Sequence, residues 1–406
     1  MAFKSYLQVL KNFNFTKLWI SQLTSQLTNY LLTFAILIRV FRLTNSSTSV
    51  SVVIMAFGLA TVFFGSLAGV YSDRFDRRKL LTIVNLAQAG SIALYFVVGS
   101  NFWPLVLIVF LYSSFNQFYI PAEAPTIPNL VPKNQLLVAN SYFVFTGSAS
   151  LIIGFASAGP ISLAFGDGAP YLIGVILLCV AAFATWALPP LPPEQAPKPH
   201  GWRILWDEFK EGLDHFLANK KLHYPLLSLV LVQVINGMVV TIAPAFIEQA
   251  IGIHLETSSL LIVAPLGIGI LLGSASLGLE EHYIRKQTLI FAGFLGMGSM
   301  MALMSFINFF DQKYLYFAVL ALIMGYFNSH IFAPSHSLLQ LEAQSHMRGR
   351  IYGSLYVLLQ IAATLPTVIA GVLADRIAIT YVMASLGVLM IIFGFLARPA
   401  KGLTDI

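Results

Sequence analysis

Charge is scarce in this chain. Only 10% of its 406 residues are Asp, Glu, Lys or Arg, while 57% are apolar, and the mean hydropathy is +0.79. A water-soluble domain of this composition would expose large adhesive patches, so a globular cytosolic protein is excluded. Sulfur pairing is absent too: the one cysteine, Cys179, leaves no disulfide framework. Alternating ten-residue segments of the kind that build transmembrane barrels are missing. So are a phosphate-binding glycine loop, an HExxH pair, a cysteine cluster and any Ser-His-acid set at helical spacing. The glycines of GIGILLG (267–273) lack the spacing of a dinucleotide fingerprint and sit inside an apolar run. Enzyme chemistry, a cofactor and a metal are therefore not expected.

What remains is long apolar runs. Crossing about 30 Å of hydrocarbon takes about 20 residues of helix. Twelve runs qualify, near 17–40, 49–71, 80–99, 103–124, 139–165, 170–188, 224–247, 257–278, 288–309, 314–335, 351–374 and 378–397. The first has no evident cleavage site and reads as a retained span. With the N-terminus placed in the cytoplasm, all but Arg39, Arg42, Lys313 and Arg376 of the 23 Lys and Arg residues fall in cytoplasmic segments. This asymmetry predicts an inner-membrane, multi-pass protein with both termini cytoplasmic, and it accounts for the net charge of +6 without nucleic acid.

Residues 189–223 interrupt the pattern. A Pro-rich stretch precedes Trp202, Leu205, Trp206, Phe209, Leu213, Phe216 and Leu217, which recur at helical spacing and predict an amphipathic helix on the inner membrane surface. The linker divides the chain into a six-span half at 1–188 and another at 224–406. The halves resemble each other weakly. FNQFYIPAEAPTIPNLVPKNQLLVANSYF (115–143) parallels FNSHIFAPSHSLLQLEAQSHMRGRIYGSLY (327–356), and GVYSDRFDRRK (69–79) has a degraded counterpart in GLEEHYIRK (278–286).

The densest charge in the chain lies in that first loop, six charged residues within Ser72–Lys79. Gly69, Ser72, Asp73, Arg74, Arg77, Arg78 and Lys79 match, in place and spacing, the G-x-L-A-D-R-x-G-R-R-x loop of the major facilitator superfamily, which the whole chain resembles. Tyr71 and Asp76 replace the usual Leu and Gly. Asp76 there, with NFTKLWISQLTSQLTNYL, PNLVPKNQLLVANS and MRGRIYGSL, resembles the branch holding macrolide and enterobactin exporters and lysophospholipid transporters. The resemblance implies an all-α fold of twelve transmembrane helices in two pseudo-symmetric six-helix halves. It also implies secondary transport by alternating access. The loop would then be a cytoplasmic gate, with Gly69 permitting close helix approach and Asp73 capping or contacting a partner element. Positive-inside anchoring alone would explain the basic residues, but not Asp73 and Gly69 at fixed spacing. Glu123, in PAEAP, is the acid nearest the interior and could pair with Arg74 or Arg77.

Span five carries GSASLIIGFASAGP, with Gly154, Gly159 and Pro160 similar to an antiporter motif; tight helix packing explains its small residues equally well. Where the branch often has an acid in span one, this chain has Asn29. Gln26 and Asn29 occupy places equivalent to Gln233 and Asn236 in span seven, and they could line a central polar cavity or form interhelical hydrogen bonds. With no carboxylate placed deep in a span, His330 becomes the candidate proton site by elimination. The expected function is export of amphipathic small molecules such as drugs or siderophores by a monomer, with protons as a possible coupling ion. A lipid flippase of the same superfamily and a non-transporting receptor or scaffold are the rival readings.

Overall fold

The computed structural model describes residues 8–98, 101–192, 219–280, 282–307, 312–342 and 348–396, with Lys210, Leu213, Asp214 and Phe216. Twelve helical spans run through them. In the first half these are α1 (Phe13–Thr44), α2 (Ser47–Arg74), α3 (Arg77–Val98), α4 (Phe102–Leu130), α5 (Lys133–Phe165) and α6 (Ala169–Trp186). In the second they are α7 (Leu222–Ile251), α8 (Leu255–Glu280), α9 (Lys286–Met304), α10 (Lys313–Glu342), α11 (Arg348–Arg376) and α12 (Ile379–Leu396). No strand occurs among the described residues.

Hydropathy without burial identifies the solvent these helices require. The most apolar stretch of α5 is only 22% buried, and Val144, Phe145 and Ile153 stand 71%, 70% and 56% exposed. In water such a surface would aggregate; in a bilayer it is the correct face to show. Helical backbone pairs its own polar groups except where a proline removes a donor, which is the condition for crossing hydrocarbon.

The chain forms two compact units, Met1–Leu43 with Ala56–His200, and Thr44–Met55 with Gly201–Ile406. Their helix pairings repeat. In the first unit α3 packs on α4 and α6, as α9 packs on α10 and α12 in the second. Likewise Gly154 of α5 meets Tyr30 and Leu31 of α1, while Gly237 of α7 meets Ala363 of α11. A repeat that was faint in sequence is plain in packing.

The start of α2 groups with the second unit because Asp375 of α11 caps it. One carboxylate oxygen accepts the Ser47 N–H (2.7 Å), and the other accepts the Ser46 hydroxyl (2.6 Å) and the Thr48 N–H (3.0 Å). A carboxylate at a helix N-terminus satisfies orphan N–H groups and complements the dipole. Of the expected amphipathic helix, Trp202, Leu205, Trp206, Phe209 and Leu217 lie outside the described residues. Phe216 is fully buried, packed with Leu222, Leu229, Leu339 and Leu355.

Candidate functional site

Two clusters of polar side chains stand out, one in each unit. The first forms where α2 and α3 meet the end of α4. Prolines at 121, 125 and 128 make that end irregular: α4 is helical over Phe102–Asn116, resumes over Tyr119–Glu123, tightens at Ala124–Thr126 and finishes with Ile127–Leu130. A helical carbonyl expects the N–H four residues on, and proline has none. The Pro121 carbonyl would need the N–H of Pro125, so it is left without a backbone donor. The Ser72 hydroxyl fills the vacancy at 2.6 Å. Arg77, buried, donates Nη1–H to the Pro125 carbonyl at 3.2 Å, and Asn12 donates to Leu130 at 2.6 Å.

Asp76 holds the loop from the other side. It is the N-cap of α3, accepting the Lys79 N–H at 3.2 Å, and its second oxygen accepts the Leu191 N–H at 3.2 Å. The Arg77 N–H returns a bond to the Leu191 carbonyl at 3.0 Å. The acid that replaces the usual glycine is thus a structural fastener, a role that the Asp-Arg-Arg-Lys helix start could have signalled. Asp73 lies in the last turn of α2, and its side chain is outside the described residues. Arg74 is exposed and Arg78 half-buried.

Two expectations for this loop need correcting. Gly69 sits in open space, with nothing within 4 Å of where a Cβ would stand, so it permits no close helix approach in this structure. Glu123 pairs with neither Arg74 nor Arg77. It is buried on α4 beside Tyr119, whose hydroxyl meets Ser21 Oγ at 2.9 Å, and Asn85 also reaches Ser21 at 3.3 Å. Pro125 stands two residues beyond Glu123, and its carbonyl takes the guanidinium that the carboxylate was expected to bind.

The second cluster joins α8 and α10, and it corrects the isolation expected for His330. His330 is buried, with Nε2 2.7 Å from Glu280 Oε2 and Nδ1 2.9 Å from the Tyr326 carbonyl. Tyr326 donates its hydroxyl to Glu280 Oε1 at 2.7 Å and receives the Ser276 hydroxyl at 3.0 Å. Glu280 ends α8, and its side chain reaches His330, which lies within α10. Span-end placement hid this carboxylate from sequence reasoning. Its place in the degraded loop repeat was the signal available.

The remaining candidates separate. Asn236 accepts a hydrogen bond from Asn328 at 3.1 Å, so it joins α7 to α10, while Gln233 is half-buried. Gln26 and Asn29 are half-buried on α1 in the other unit. Gly154 is a contact point: a Cβ there would stand 2.7 Å from the Tyr30 Cβ. Gly159 is buried beside it and Pro160 lies within the helix. A small cleft inside the first unit is lined mainly by apolar and aromatic residues, among them Leu32, Phe57, Ile92, Tyr112 and Tyr171, with Thr33 beside them. Among the described residues no group of His, Cys, Asp and Glu is placed to hold a metal.

A fold of this kind, with the charged loop after α2, is matched by the family model of the Major Facilitator Superfamily over residues 18–366. The chain belongs to the Major Facilitator Superfamily. Similar proteins include Macrolide efflux protein A of Streptococcus pyogenes, 25% identical over 388 residues that cover 93% of each chain. The MFS-type transporter YfiS of Bacillus subtilis (strain 168) is 25% identical over 95% of this chain and 92% of its own. Among solved structures, the nucleoside transporter NupG shares the fold at TM-score 0.79 and 12% identity, over 97% of this chain and 99% of its own. A bacterial homologue of the lysosomal transporter Spinster aligns at TM-score 0.66 and 13% identity, over 97% of this chain and 95% of that one. This superfamily member is thus a twelve-span membrane transporter, with a small-molecule substrate implied by its family.

Proposed function

We propose that this transporter exports amphipathic small molecules, drug-like compounds or siderophores, by secondary active alternating access. It would work as a monomer in the plasma membrane with both termini cytoplasmic. The observation that carries this reading is the full-length similarity to Macrolide efflux protein A. The scarcity of charge in the spans supports it, since such a path suits hydrophobic compounds and rejects polyanions. The loop Gly69–Lys79 acts as the cytoplasmic gate, held in register by the Ser72, Arg77 and Asp76 bonds. Gln26, Asn29 and Gln233 supply polar contacts to the substrate path. His330 is the proton site of the coupling step.

Susceptibility profiling tests the substrate class. Cells carrying the protein should tolerate macrolides or other amphipathic drugs better than cells without it, and an unchanged profile across such a panel removes the export reading. Asp73→Asn should leave the protein inserted and folded but reduce export strongly; export at the wild-type rate would refute a gating role for the loop. Topology has its own test in a Cys179→Ala background. Cysteines at Lys79 and Asn101, both exposed in the structure, should label with an impermeant reagent from opposite sides of the membrane. Labelling of both from one side overturns the orientation.

A further inference from the structure

The contact between Glu280 and His330 has a proton count that its geometry fixes. His330 Nδ1 lies 2.9 Å from the Tyr326 carbonyl oxygen, which can only accept, so Nδ1 carries a hydrogen. A neutral imidazole in that tautomer presents a lone pair at Nε2. Nε2 faces Glu280 Oε2 at 2.7 Å, and an ionised carboxylate also presents only lone pairs there. Two acceptors do not rest 2.7 Å apart in a hydrogen bond. One further proton must lie between them, whether it is assigned to an imidazolium or to a carboxylic acid.

We infer that Glu280 and His330 form a one-proton latch between α8 and α10. With the proton bound, the pair is neutral overall and closed. Its loss to solvent through Glu280, which is 25% exposed at the side chain, leaves a neutral imidazole facing a carboxylate. The pair then carries one negative charge and the contact opens. No other co-reactant is needed, and reprotonation restores the bond.

The surroundings place this latch where opening can move something. Toward the middle of the spans, Gly269 and Gly273 of α8 bring its backbone against Leu322 and Tyr326 of α10, a tight crossing that works as a fulcrum. The latch lies beyond it, at the end of α8 that leads into α9. Among the described charged and titratable groups after α8 and on α10, three have partners of their own. Lys286 donates to Ser337, His282 reaches the Gly278 carbonyl from an exposed position, and His336 lies against Phe332. Arg285 opens α9 as its N-cap. From α9 the side facing α10 presents Met297, and from α7 it presents Asn236, both through Asn328. Tyr326 holds the other oxygen of Glu280 and so orients the carboxylate.

The first half shows that the fold does not require such a pair. Aligning Phe115-Asn116 with Phe327-Asn328 puts Phe118 at the place of His330. There α2 meets α4 through rings, Tyr71 against Phe118 with centroids 5.9 Å apart. The same helix pair is joined by a non-titrating contact in one half and by an acid and an imidazole in the other.

The latch itself stands on geometry; its link to export rests on the function proposed above. Spin labels on cysteines at Leu279 and Leu341, exposed residues on α8 and α10, report the separation of the two ends in full-length Cys179→Ala protein. Their distance should increase as pH rises, in one transition spread over about two pH units, as a single proton requires. In Glu280→Gln the amide N–H donates to His330 Nε2 and does not ionise, so the ends should stay closed across the same range. His330→Ala, which offers neither an imidazole nor a ring, should leave them open throughout. A wild-type distance that ignores pH, or a transition that survives in Glu280→Gln, overturns the latch. In proteoliposomes, an imposed pH gradient should accumulate a macrolide with wild-type protein and fail to do so with Glu280→Gln. Intact label transitions with no macrolide movement would keep the latch and remove the export reading.

Discussion

Gly269→Leu should leave the second unit unable to fold into a transporter. A Cβ at this position would lie well inside the van der Waals radius of the Leu322 carbonyl oxygen, and a Cβ at Gly325, on the opposing helix, would meet the Leu266 carbonyl. The seam is therefore backbone against backbone from both sides. No flexible side chain is available to retreat. Over-packing a core costs about 1–3 kcal/mol when side chains can adjust. Here relief requires α8 and α10 to separate, which would also break the Glu280–His330 contact and the Ser274–Ser329 bond. The expected outcome is loss of monodisperse protein after detergent extraction. Gly278→Ala provides the control, because nothing lies within 4 Å of the added methyl, and it should extract and melt like wild type. A Gly269→Leu protein with an unchanged melting temperature would contradict the seam.

The fold was legible because its determinants are local. Twelve apolar runs and the basic loop need only a window of about 20 residues to be seen, and each run corresponds to one helix. The two halves were harder, since the repeat survives at a few positions such as Phe115-Asn116 and Phe327-Asn328. The site was less legible. His330 stood out because an ionisable side chain inside a span is costly. Glu280 did not, because it ends its own span, and only the packing of α8 against α10 brings its carboxylate to His330. Glu123 failed for a related reason. Its charge suggested a cationic partner, but the prolines around it redirect Arg77 to a backbone carbonyl. Asp76 was read as a mark of kinship when its local task, capping α3, was available from position alone.

Arg77→Ala should reduce transport by about tenfold or more while the protein remains in the membrane, since tenfold needs only about 1.4 kcal/mol of altered equilibrium between conformations. Arg77 connects three things at once. Its backbone N–H holds Leu191 and its guanidinium holds Pro125. It also begins α3, directly after the capping Asp76. Removing the side chain takes that donor from the half-buried Pro125 carbonyl, at a cost of about 1 kcal/mol. Ser72→Ala acts on the same segment through a different atom, for the Pro121 carbonyl has no helical N–H to fall back on. Both variants should lower the melting temperature, and because both release the end of α4, their double mutant should fall short of the sum. Lysine at 77 can offer a charge but not the planar fork, so Arg77→Lys should restore stability more than transport. That split separates a gate from a simple anchor. An anchor needs only positive charge, and lysine would then recover both properties together. Wild-type transport in both Ser72→Ala and Arg77→Ala would show that fastening α4 to the loop has no part in the transport cycle.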